Sequence, residues 1–338
     1  MRPLALTIGE PAGIGPDISL ALWTKRETLG VPPFLLLGDP DLLAARARLL
    51  GLSVKIEVAG VADAPARFAS ALPVQPLGMA ATAAPGKPDA TSAAVVRAAI
   101  EQAVALVQAG KAAAVVTNPI AKAVMQQAGF PFPGHTEFLA SLAASGGGKA
   151  PRPVMLIWSE ELAVVPVTIH VPLAEVPRLL TADLIVETGR IVVREFVQRF
   201  GIARPRLAVC GLNPHAGESG MLGGEDEAVV RPAVERLRAD GIDASGPWPA
   251  DTLFHAEARA RYDVALGMYH DQVLIPAKTL AFDHAVNVTL GLPFVRTSPD
   301  HGTAFDLAGT GKANPSSLRA ALKLAARLAE AEAPAPAT

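Results

Sequence analysis

Short β-rich runs alternate with Ala/Leu-rich helical patterns along most of this chain, and this alternation constrains its fold more than any other feature. PLALTI (3–8) precedes the helical pattern GPDISLALWTKRETLG (15–30), and AAVVT (113–117) precedes IAKAVMQQAG (120–129). Such βα units build largely parallel sheets with flanking helices. The sequence therefore predicts an α/β fold. Further strand candidates are PVMLIW, LAVVPVT, RLAVCGL, DVALGM and AVNVTL.

The size and composition of the chain favour two folded domains. Its 338 residues exceed the usual size of one compact core. Half of the residues are hydrophobic (50%) and only 18% are charged, so a sizeable interior is expected and the disordered class is excluded. A candidate domain junction lies near PFPGHTE (131–137).

Charge and cysteine content exclude several classes of partner. Lys plus Arg number 30 against 32 Asp plus Glu, and no basic run predicts a nucleic-acid or anionic-membrane partner. Cys210 is the single cysteine, so no internal disulfide is possible, which fits a reducing cytoplasm. Glu10 and Pro11 interrupt the apolar start before it reaches the length of a signal peptide. We therefore predict a soluble cytoplasmic protein.

Four histidines follow predicted strands or lie near their ends: His135 in FPGHTE, His170 in VTIHVPL, His215 in CGLNPHAG and His270 in GMYHDQ. In open α/β sheets, ligands bind beyond the carboxyl ends of the strands. Imidazoles gathered there would suit zinc or another divalent transition metal. The histidines are far apart in the sequence and form no local metal-binding motif. Each one taken alone therefore also fits a hydrogen-bonded core residue or a surface residue.

Two glycine-containing segments are candidate loops. GEPAGIGPD (9–17) is followed by Ile18, where a dinucleotide fingerprint needs its third glycine, so a tight strand-to-helix turn is the better interpretation. DHGTAFDLAGTGKANP (300–315) is long, polar and directly precedes the last helix, for which Asn314 is a candidate N-cap. Loops of this length are usually functional, although a plain connector stays open. Three residues are candidate hydrogen-bond donors to a phosphate or carboxylate: Lys278, Asn287 and Arg296. Each of them also fits a solvated surface residue.

The ordered motifs of the chain strongly resemble the 4-hydroxythreonine-4-phosphate dehydrogenase family of vitamin B6 biosynthesis. The matching blocks run from near residue 6 to about 318. They are TIGEPAGIGPD, TNPIAKA, GHTEFLA, GLNPHAGESG with GGED, PADTLF, YHDQVLIPAK and VNVTLGLPFVRTSPDHGTAFDLAGTGKANP. The segment HGTAFDLAGTGKANP is also similar to the nucleotide loop of the isocitrate and isopropylmalate dehydrogenases, which bind NAD without the glycine fingerprint.

The resemblance implies the two-domain isocitrate/isopropylmalate dehydrogenase-like fold, with the active site in the interdomain cleft. The first domain would comprise residues 1–133 together with residues from about 295 to 338 and carry the nucleotide loop. The second domain would comprise residues 134–294 and carry the metal and substrate side and the dimer interface. A homodimer with the active site at the subunit interface follows, so the metal ligands need not all come from one chain.

The resemblance also implies a set of site residues. One divalent ion, zinc, magnesium or cobalt, would be bound by His170, His215 and His270. Substrate would be contacted by His135, Thr136, Lys278, Asn287 and Arg296. NAD or NADP would be bound by His301, Gly302, Thr303, Asp306, Gly309 and Asn314. The candidate catalytic residues are Lys278, Asp251 and Asp271, the last as a partner of the His270 ligand.

The activity implied is the NAD-dependent and metal-dependent oxidation of 4-phosphohydroxy-L-threonine, followed by decarboxylation to 3-amino-2-oxopropyl phosphate. A sister dehydrogenase acting on a phosphorylated four-carbon sugar acid is the main alternative. An acyl-to-phosphate transferase, which would need neither the three histidines nor NAD, and a noncatalytic phosphate-binding protein are the other classes considered. Val273 departs from the glycine that often follows HDQ in relatives, and we expect it to affect packing more than chemistry.

Overall fold

The computed structural model describes residues 2–132, 134–144 and 150–332. Elements are numbered along the chain. The strands in these ranges are β1 (Leu4–Thr7), β2 (Phe34–Leu37), β3 (Ile56–Val58), β4 (Leu72–Gln75), β5 (Val115–Thr117), β6 (Val154–Trp158), β7 (Ala163–Thr168), β8 (Arg206–Cys210), β9 (Asp243–Trp248), β10 (Val264–Tyr269), β11 (Val286–Leu290) and β12 (Arg296–Pro299).

The α-helices in the same ranges are α1 (Gly15–Thr24), α2 (Arg26–Leu29), α3 (Pro40–Leu49), α4 (Ala64–Arg67), α5 (Ser92–Gln108), α6 (Lys122–Gln127), α7 (His135–Ala143), α8 (Val176–Leu179), α9 (Ala182–Gln198), α10 (Arg231–Ala239), α11 (Ala256–Arg259), α12 (His270–Ala281) and α13 (Ser316–Ala331). Three 3₁₀ segments, counted in the described residues, are Leu173–Glu175, Pro214–Gly220 and Ala250–Thr252, and a π-helical turn spans Asp226–Val230.

Unit 1 consists of Met1–Pro153 and Leu292–Glu330, so it is built from both ends of the chain. Its strands lie in the order β3-β4-β2-β1-β5-β12 and pair in parallel. Strands β1 and β2 are buried along their whole length, as continuous apolar runs covered on both faces must be. The α/β fold with largely parallel pairing that the sequence predicts is confirmed.

Unit 2 consists of Val154–Gly291 and Ala331–Thr338. Its strands lie in the order β11-β6-β7-β10-β8-β9. The pairs between β7, β10, β8 and β9 are parallel, whereas β6 pairs antiparallel with both β7 and β11. The carboxyl ends of β7, β10 and β8 therefore share one edge of the sheet.

The boundary expected between residues 133 and 134 lies instead after Pro153. Helix α7 stays in unit 1 because the buried Phe138 packs edge-on against Phe130, with 4.9 Å between ring centroids. Gln108 Nε2 on α5 also donates to the carbonyl of Leu142 on α7 at 3.4 Å. Aromatic packing across a loop is a tertiary feature that turn residues in the sequence do not reveal.

The last helix begins as its sequence predicts. Asn314 Oδ1 accepts a hydrogen bond from Ser316 N at 3.0 Å, which satisfies one of the first amide groups of α13. Leu318, Leu322 and Ala325 share one face of the helix and are fully buried. No helix within the described ranges combines the length and hydropathy that crossing a bilayer requires.

Candidate active site

Three histidines lie beyond the carboxyl ends of neighbouring parallel strands in unit 2. His170 follows β7 by two residues, His270 directly follows β10 as the first residue of α12, and His215 follows β8 by five residues. Strand β10 pairs with both β7 and β8. The predicted strand-end setting is therefore correct for all three residues.

His170 and His270 are neighbours within one chain. Their ring centroids are 5.6 Å apart, and the ring planes are tilted by 45°. Both rings line a cavity of about 230 Å³ with Thr168, Tyr269 and Asp271. Two imidazoles at this separation have the chemistry of a nitrogen-ligated metal site, which zinc and cobalt favour over magnesium.

Asp271 orients the ring of His270. Its Oδ1 lies 2.7 Å from His270 Nδ1, and the carboxylate is an acceptor, so the ring donates from Nδ1. The lone pair then resides on Nε2, the nitrogen left to face a metal ion. Thr168 Oγ1 donates to the carbonyl of Met268 at 2.7 Å, which fixes the ends of β7 and β10 side by side.

The loop that carries His215 is held by Asp226, a residue of the π-helical turn that follows it. The buried carboxylate of Asp226 accepts hydrogen bonds from Leu212 N at 2.7 Å and Asn213 N at 3.0 Å. His215 itself has φ +52°, and left-handed backbone continues from there through Ser219. Such a backbone is costly for residues other than glycine and persists where surrounding contacts impose it.

Gln272 ties this loop to the start of α12. Its Nε2 donates to the carbonyl of Gly211 at 2.7 Å, while its Oε1 accepts from Met268 N at 2.7 Å. Even so, no three His, Cys, Asp or Glu side chains of the described residues converge closely enough to hold a metal ion. One chain thus brings together His170 and His270, with His215 on the neighbouring strand end.

Asp251 and Asp271 line a second depression in unit 2, of about 510 Å³. Gln272 and Tyr269 also contribute, and the rest of the lining is mostly apolar. Asp251 is exposed in its 3₁₀ turn. Lys278 is half-buried on α12, about 12 Å of helical rise beyond His270. Asn287 is half-buried on β11.

Val273 packs against the strand that delivers His270. It is fully buried, and its Cγ1 lies 2.3 Å from where a Cβ on Gly267 would stand. Only glycine at position 267 leaves room for the valine. Val273, the departure from the family pattern, is thus a core residue packed against the strand before His270.

Unit 1 holds a cluster of cationic and imidazole groups around the start of β12. Arg296 is 3% exposed, its Nη2 donates to Thr117 Oγ1 at 2.6 Å, and burial lowers the pKa of its guanidinium to about 10. Burial, then the positive charges of Arg296 and Lys122, hold the pKa of His135 well below its ordinary value of 6.5. His135 is therefore neutral near pH 7, and its Nε2 is buried with no hydrogen-bond partner among the described residues.

The sequence prediction for this cluster was wrong in one respect and incomplete in another. His135 does not follow a strand: it is the first residue of α7, after α6 and the turn through Phe130. Thr136 follows it in the same helical turn. Lys122, exposed at the start of α6, was not selected, although its Cε lies 3.5 Å from the Cβ position of Gly134. Lys122 is the lysine of the TNPIAKA motif, so this motif was the sequence feature that could have identified it.

The candidate nucleotide loop, residues 300–315, packs against the turn that follows β1. Ile14 N donates to the carbonyl of Thr303 at 3.0 Å, and Gly309 N donates to Asp17 Oδ1 at 2.6 Å. His301 Nδ1 contacts the carbonyl of Gly302 at 3.0 Å, whereas its Nε2 is buried and no hydrogen-bond partner for it lies within the described ranges. That unpaired polar atom fits a ligand with hydroxyl or amide groups, as a dinucleotide has.

Comparisons with known proteins show which family the chain belongs to. Residues 31–325 match the family described as pyridoxal phosphate biosynthetic protein PdxA. The 4-hydroxythreonine-4-phosphate dehydrogenase of Xanthobacter autotrophicus is 68% identical over 98% of this chain and 95% of its own length. Its counterpart from Bradyrhizobium diazoefficiens is 62% identical over 98% of each chain.

A solved structure gives the same result at the level of the fold. The crystal structure of 4-hydroxythreonine-4-phosphate dehydrogenase from Klebsiella pneumoniae has a TM-score of 0.85 and 36% identity. The match covers 97% of this chain and all of the other. The family predicted from the ordered motifs is confirmed. The chain belongs to the pyridoxal phosphate biosynthetic protein PdxA family.

Proposed function

We propose that the chain oxidises 4-phosphohydroxy-L-threonine at its secondary hydroxyl with NAD and that the product loses carbon dioxide to give 3-amino-2-oxopropyl phosphate. This is a step in pyridoxine 5′-phosphate biosynthesis. The observation that carries the proposal is the His170/His270 cavity, with Asp271 orienting one ring, in a chain 62–68% identical to relatives named for this dehydrogenase.

His170, His215 and His270 would hold the metal. A bound divalent ion supplies Lewis acidity, which lowers the pKa of the substrate hydroxyl and stabilises negative charge on the same oxygen later. The hydrogen bond between His270 Nδ1 and Asp271 directs His270 Nε2 away from the Asp271 carboxylate. Gln272 holds the end of β10 and the end of β8 together. These contacts fix ligand geometry before any ion arrives.

The cluster in unit 1 would bind the anionic groups of the substrate. Arg296 presents a buried guanidinium, the strongest kind of donor for phosphate or carboxylate oxygens. Neutral His135 can donate or accept one hydrogen bond without adding charge. Lys122 adds a point charge at the exposed side. The remaining substrate contacts that the family resemblance assigns are Thr136, Lys278 and Asn287.

Removal of the hydroxyl proton needs a base, for which Asp251 and Lys278 are the proposed candidates. Asp271 is engaged with His270, so its proposed role is to orient that ring. Asp251 shares the second depression of unit 2 with Asp271 and Tyr269. An exposed carboxylate of this kind is a candidate acceptor for a proton from the substrate hydroxyl.

NAD would lie along the loop at residues 300–315, where it accepts the hydride. The residues proposed to contact it are His301, Gly302, Thr303, Asp306, Gly309 and Asn314. Gly302→Val tests this placement. In the part of the chain that the structure describes, no heavy atom lies within 4 Å of a Cβ built at Gly302, so the valine fits the free protein without strain. We expect unchanged thermal stability and a rise of about tenfold or more in the Kd for NAD, measured by calorimetry.

We propose that a second copy of the chain covers part of unit 2. Leu173, Met221, Ile275 and Phe282 are large apolar side chains that are each between 64% and 76% exposed. These side chains are the candidates for an apolar interface surface, since large exposed apolar patches mark interaction sites. The dimer expected from the resemblance would bury them and place the strand-end histidines near a subunit boundary.

Cys210 is buried, and burial raises the pKa of its thiol to about 12. A buried cysteine of this kind is unreactive, which is compatible with the cytoplasmic location proposed for the chain.

The deciding experiment is NADH formation from 4-phosphohydroxy-L-threonine, with and without a chelator. The proposal expects activity that the chelator removes and that zinc or cobalt restores. Parallel assays with phosphorylated four-carbon sugar acids address the sister dehydrogenase, since those substrates lack the amine. Turnover of a sugar acid alone would overturn the assigned substrate while retaining the oxidation.

A further inference from the structure

Unit 1 contains a buried ion pair between Asp17, in the first turn of α1, and Arg46, near the end of α3. Each side chain is 3% exposed, and Arg46 Nη1 donates directly to Asp17 Oδ2. A buried pair of this kind adds little net stability, because desolvation offsets the attraction between the charges. Its contacts with the backbone indicate another role.

Each member of the pair also holds a different loop. Arg46 donates from Nη1 to the carbonyl of Gly13 at 3.1 Å and from Nη2 to that of Pro11 at 2.8 Å. Asp17 accepts on its other oxygen from Gly309 N at 2.6 Å. The ion pair therefore joins the turn after β1 to the candidate nucleotide loop, 292 residues apart in sequence.

Gly309 is packed closely against neighbouring side chains of unit 1. Its φ of +75° is one that residues with side chains rarely adopt, and an added Cβ would lie 3.0 Å from both Leu49 Cδ2 and Pro85 Cβ. The loop is thus packed on one side and bound through its amide on the other. The amide of Gly309 is held by the Asp17 carboxylate.

We propose that Asp17 and Arg46 are positioning residues for cofactor binding: they hold residues 300–315 in the conformation that binds NAD without contacting the dinucleotide themselves. The inference rests on the proposed function for the identity of the ligand. Fixing a loop in its bound conformation improves affinity because less ordering remains to be done on binding. The effect should fall on NAD binding and leave substrate binding almost unchanged.

Asp17→Asn is the first test, because the amide keeps an acceptor for Gly309 N but loses the charge. Hydrogen bonds to charged groups are stronger than neutral ones, so we expect the Kd for NAD to rise about fivefold, with the substrate KM within about twofold of wild type. Hydrogen exchange in peptides from residues 300–315 should be faster in the variant without any ligand. Calorimetry and exchange mass spectrometry measure these two effects independently of turnover.

Glu195→Gln provides a matched control. Glu195 forms a buried ion pair with Arg199 in unit 2, at 2.8 Å, with side chains 4% and 6% exposed. Its loss should lower the melting temperature without changing the Kd for NAD or exchange in residues 300–315. This separates a specific effect on the loop from a general loss of stability.

Arg46→Lys is the second variant and replaces the first if Asp17→Asn does not fold. A single ammonium keeps the charge beside Asp17 but lacks the planar fork that bonds Pro11 and Gly13 together. Faster exchange in the loop and a raised Kd for NAD support the proposal. A folded variant with wild-type exchange and affinity overturns it. If wild-type protein binds no NAD, the proposed cofactor fails instead, whereas faster loop exchange would still show the positioning role.

Discussion

The two sites of the molecule are stabilised in different ways. In unit 1, the candidate nucleotide loop is fixed from behind by a buried ion pair and direct backbone hydrogen bonds. In unit 2, the side chains of His270 and Asp271 are 35% and 73% exposed, and His170 and His215 themselves have left-handed backbone, with φ of +51° and +52°. The comparison teaches that in unit 1 the loop proposed to bind NAD is fixed by contacts within one chain. In unit 2, the described residues of one chain do not bring the three proposed metal ligands close enough to hold an ion.

The largest effect should come from removing a metal ligand in unit 2. His170→Ala, His215→Ala and His270→Ala should each lose bound divalent ion and about a thousandfold or more in activity, since Lewis-acid stabilisation contributes several kcal/mol. Metal analysis of the purified variants checks this. His284→Ala is the control, because that exposed ring bonds Glu161 instead. A variant that keeps full metal content and full activity would show that the substituted histidine is not a metal ligand.

Mixing two inactive variants tests whether the metal site of unit 2 takes its ligands from one chain or from two. If His215 serves an ion held by the partner's His170 and His270, mixed His215→Ala and His270→Ala chains should regain about a quarter of wild-type activity. His170 and His270 are neighbours in one chain, so a mixture of their variants should regain none. Recovery in the second mixture but not the first would reverse this assignment of ligands to chains.

Removing the buried guanidinium of unit 1 should have the next largest effect. Arg296→Ala should raise the substrate KM about thirtyfold or more, with a smaller change in kcat, because an anion contact acts in ground and transition states alike. The exposed Lys122→Ala in the same cluster should raise KM only about threefold, since solvent screens its charge. Steady-state kinetics compare the two variants. Equal effects would mean that burial does not govern the strength of this cluster.

A smaller effect is expected from the carboxylate that orients His270. Asp271→Asn retains an acceptor for Nδ1–H but removes the charge that makes the ring a better ligand. We expect metal affinity to fall about tenfold, measured by competition with a chelating dye. Asp41→Asn, at an exposed position in unit 1, is the charge-matched control. An unchanged metal affinity in Asp271→Asn would mean that the contact between Asp271 and His270 has no effect on metal binding.

Much of this organisation can be predicted from local sequence patterns. Alternation of apolar runs and helical patterns predicts βα units, and parallel strands place their carboxyl ends on one edge. The positions of His170, His215 and His270 follow from these two rules. The N-cap of α13 follows from Asn314 alone. Each of these features depends on residues close together in the chain.

The parts that the sequence did not reveal depend on distant residues. Asp17 meets Arg46 across 29 positions and Gly309 across 292, and no local pattern encodes such pairs. His135 was expected at a strand end but begins α7, because the chain between α6 and α7 turns through packed aromatic rings. For the same reason the unit boundary lies after Pro153.

The smallest predicted effect is a pH dependence of stability that only unit 1 should show through His135. Burial, Arg296 and Lys122 lower the pKa of the folded imidazole, whereas the unfolded chain has the ordinary value of about 6.5. Below that pH the unfolded state binds a proton that the folded state does not. The free energy of unfolding should therefore fall as pH decreases from about 6.5 towards the folded pKa, and be unaffected above 6.5.

Urea unfolding of wild type and His135→Gln at several pH values measures this difference. The two proteins share every other titrating group, so the difference between their free energies of unfolding isolates the imidazole. It should be constant above pH 6.5 and change in favour of the variant at lower pH. In Lys122→Ala the loss of one positive charge should move the onset of ring protonation to slightly higher pH, which NMR titration can follow. A difference that stays constant down to pH 5 in the first pair would show that the folded ring titrates like an exposed one. The cationic cluster would then exert no electrostatic effect on His135.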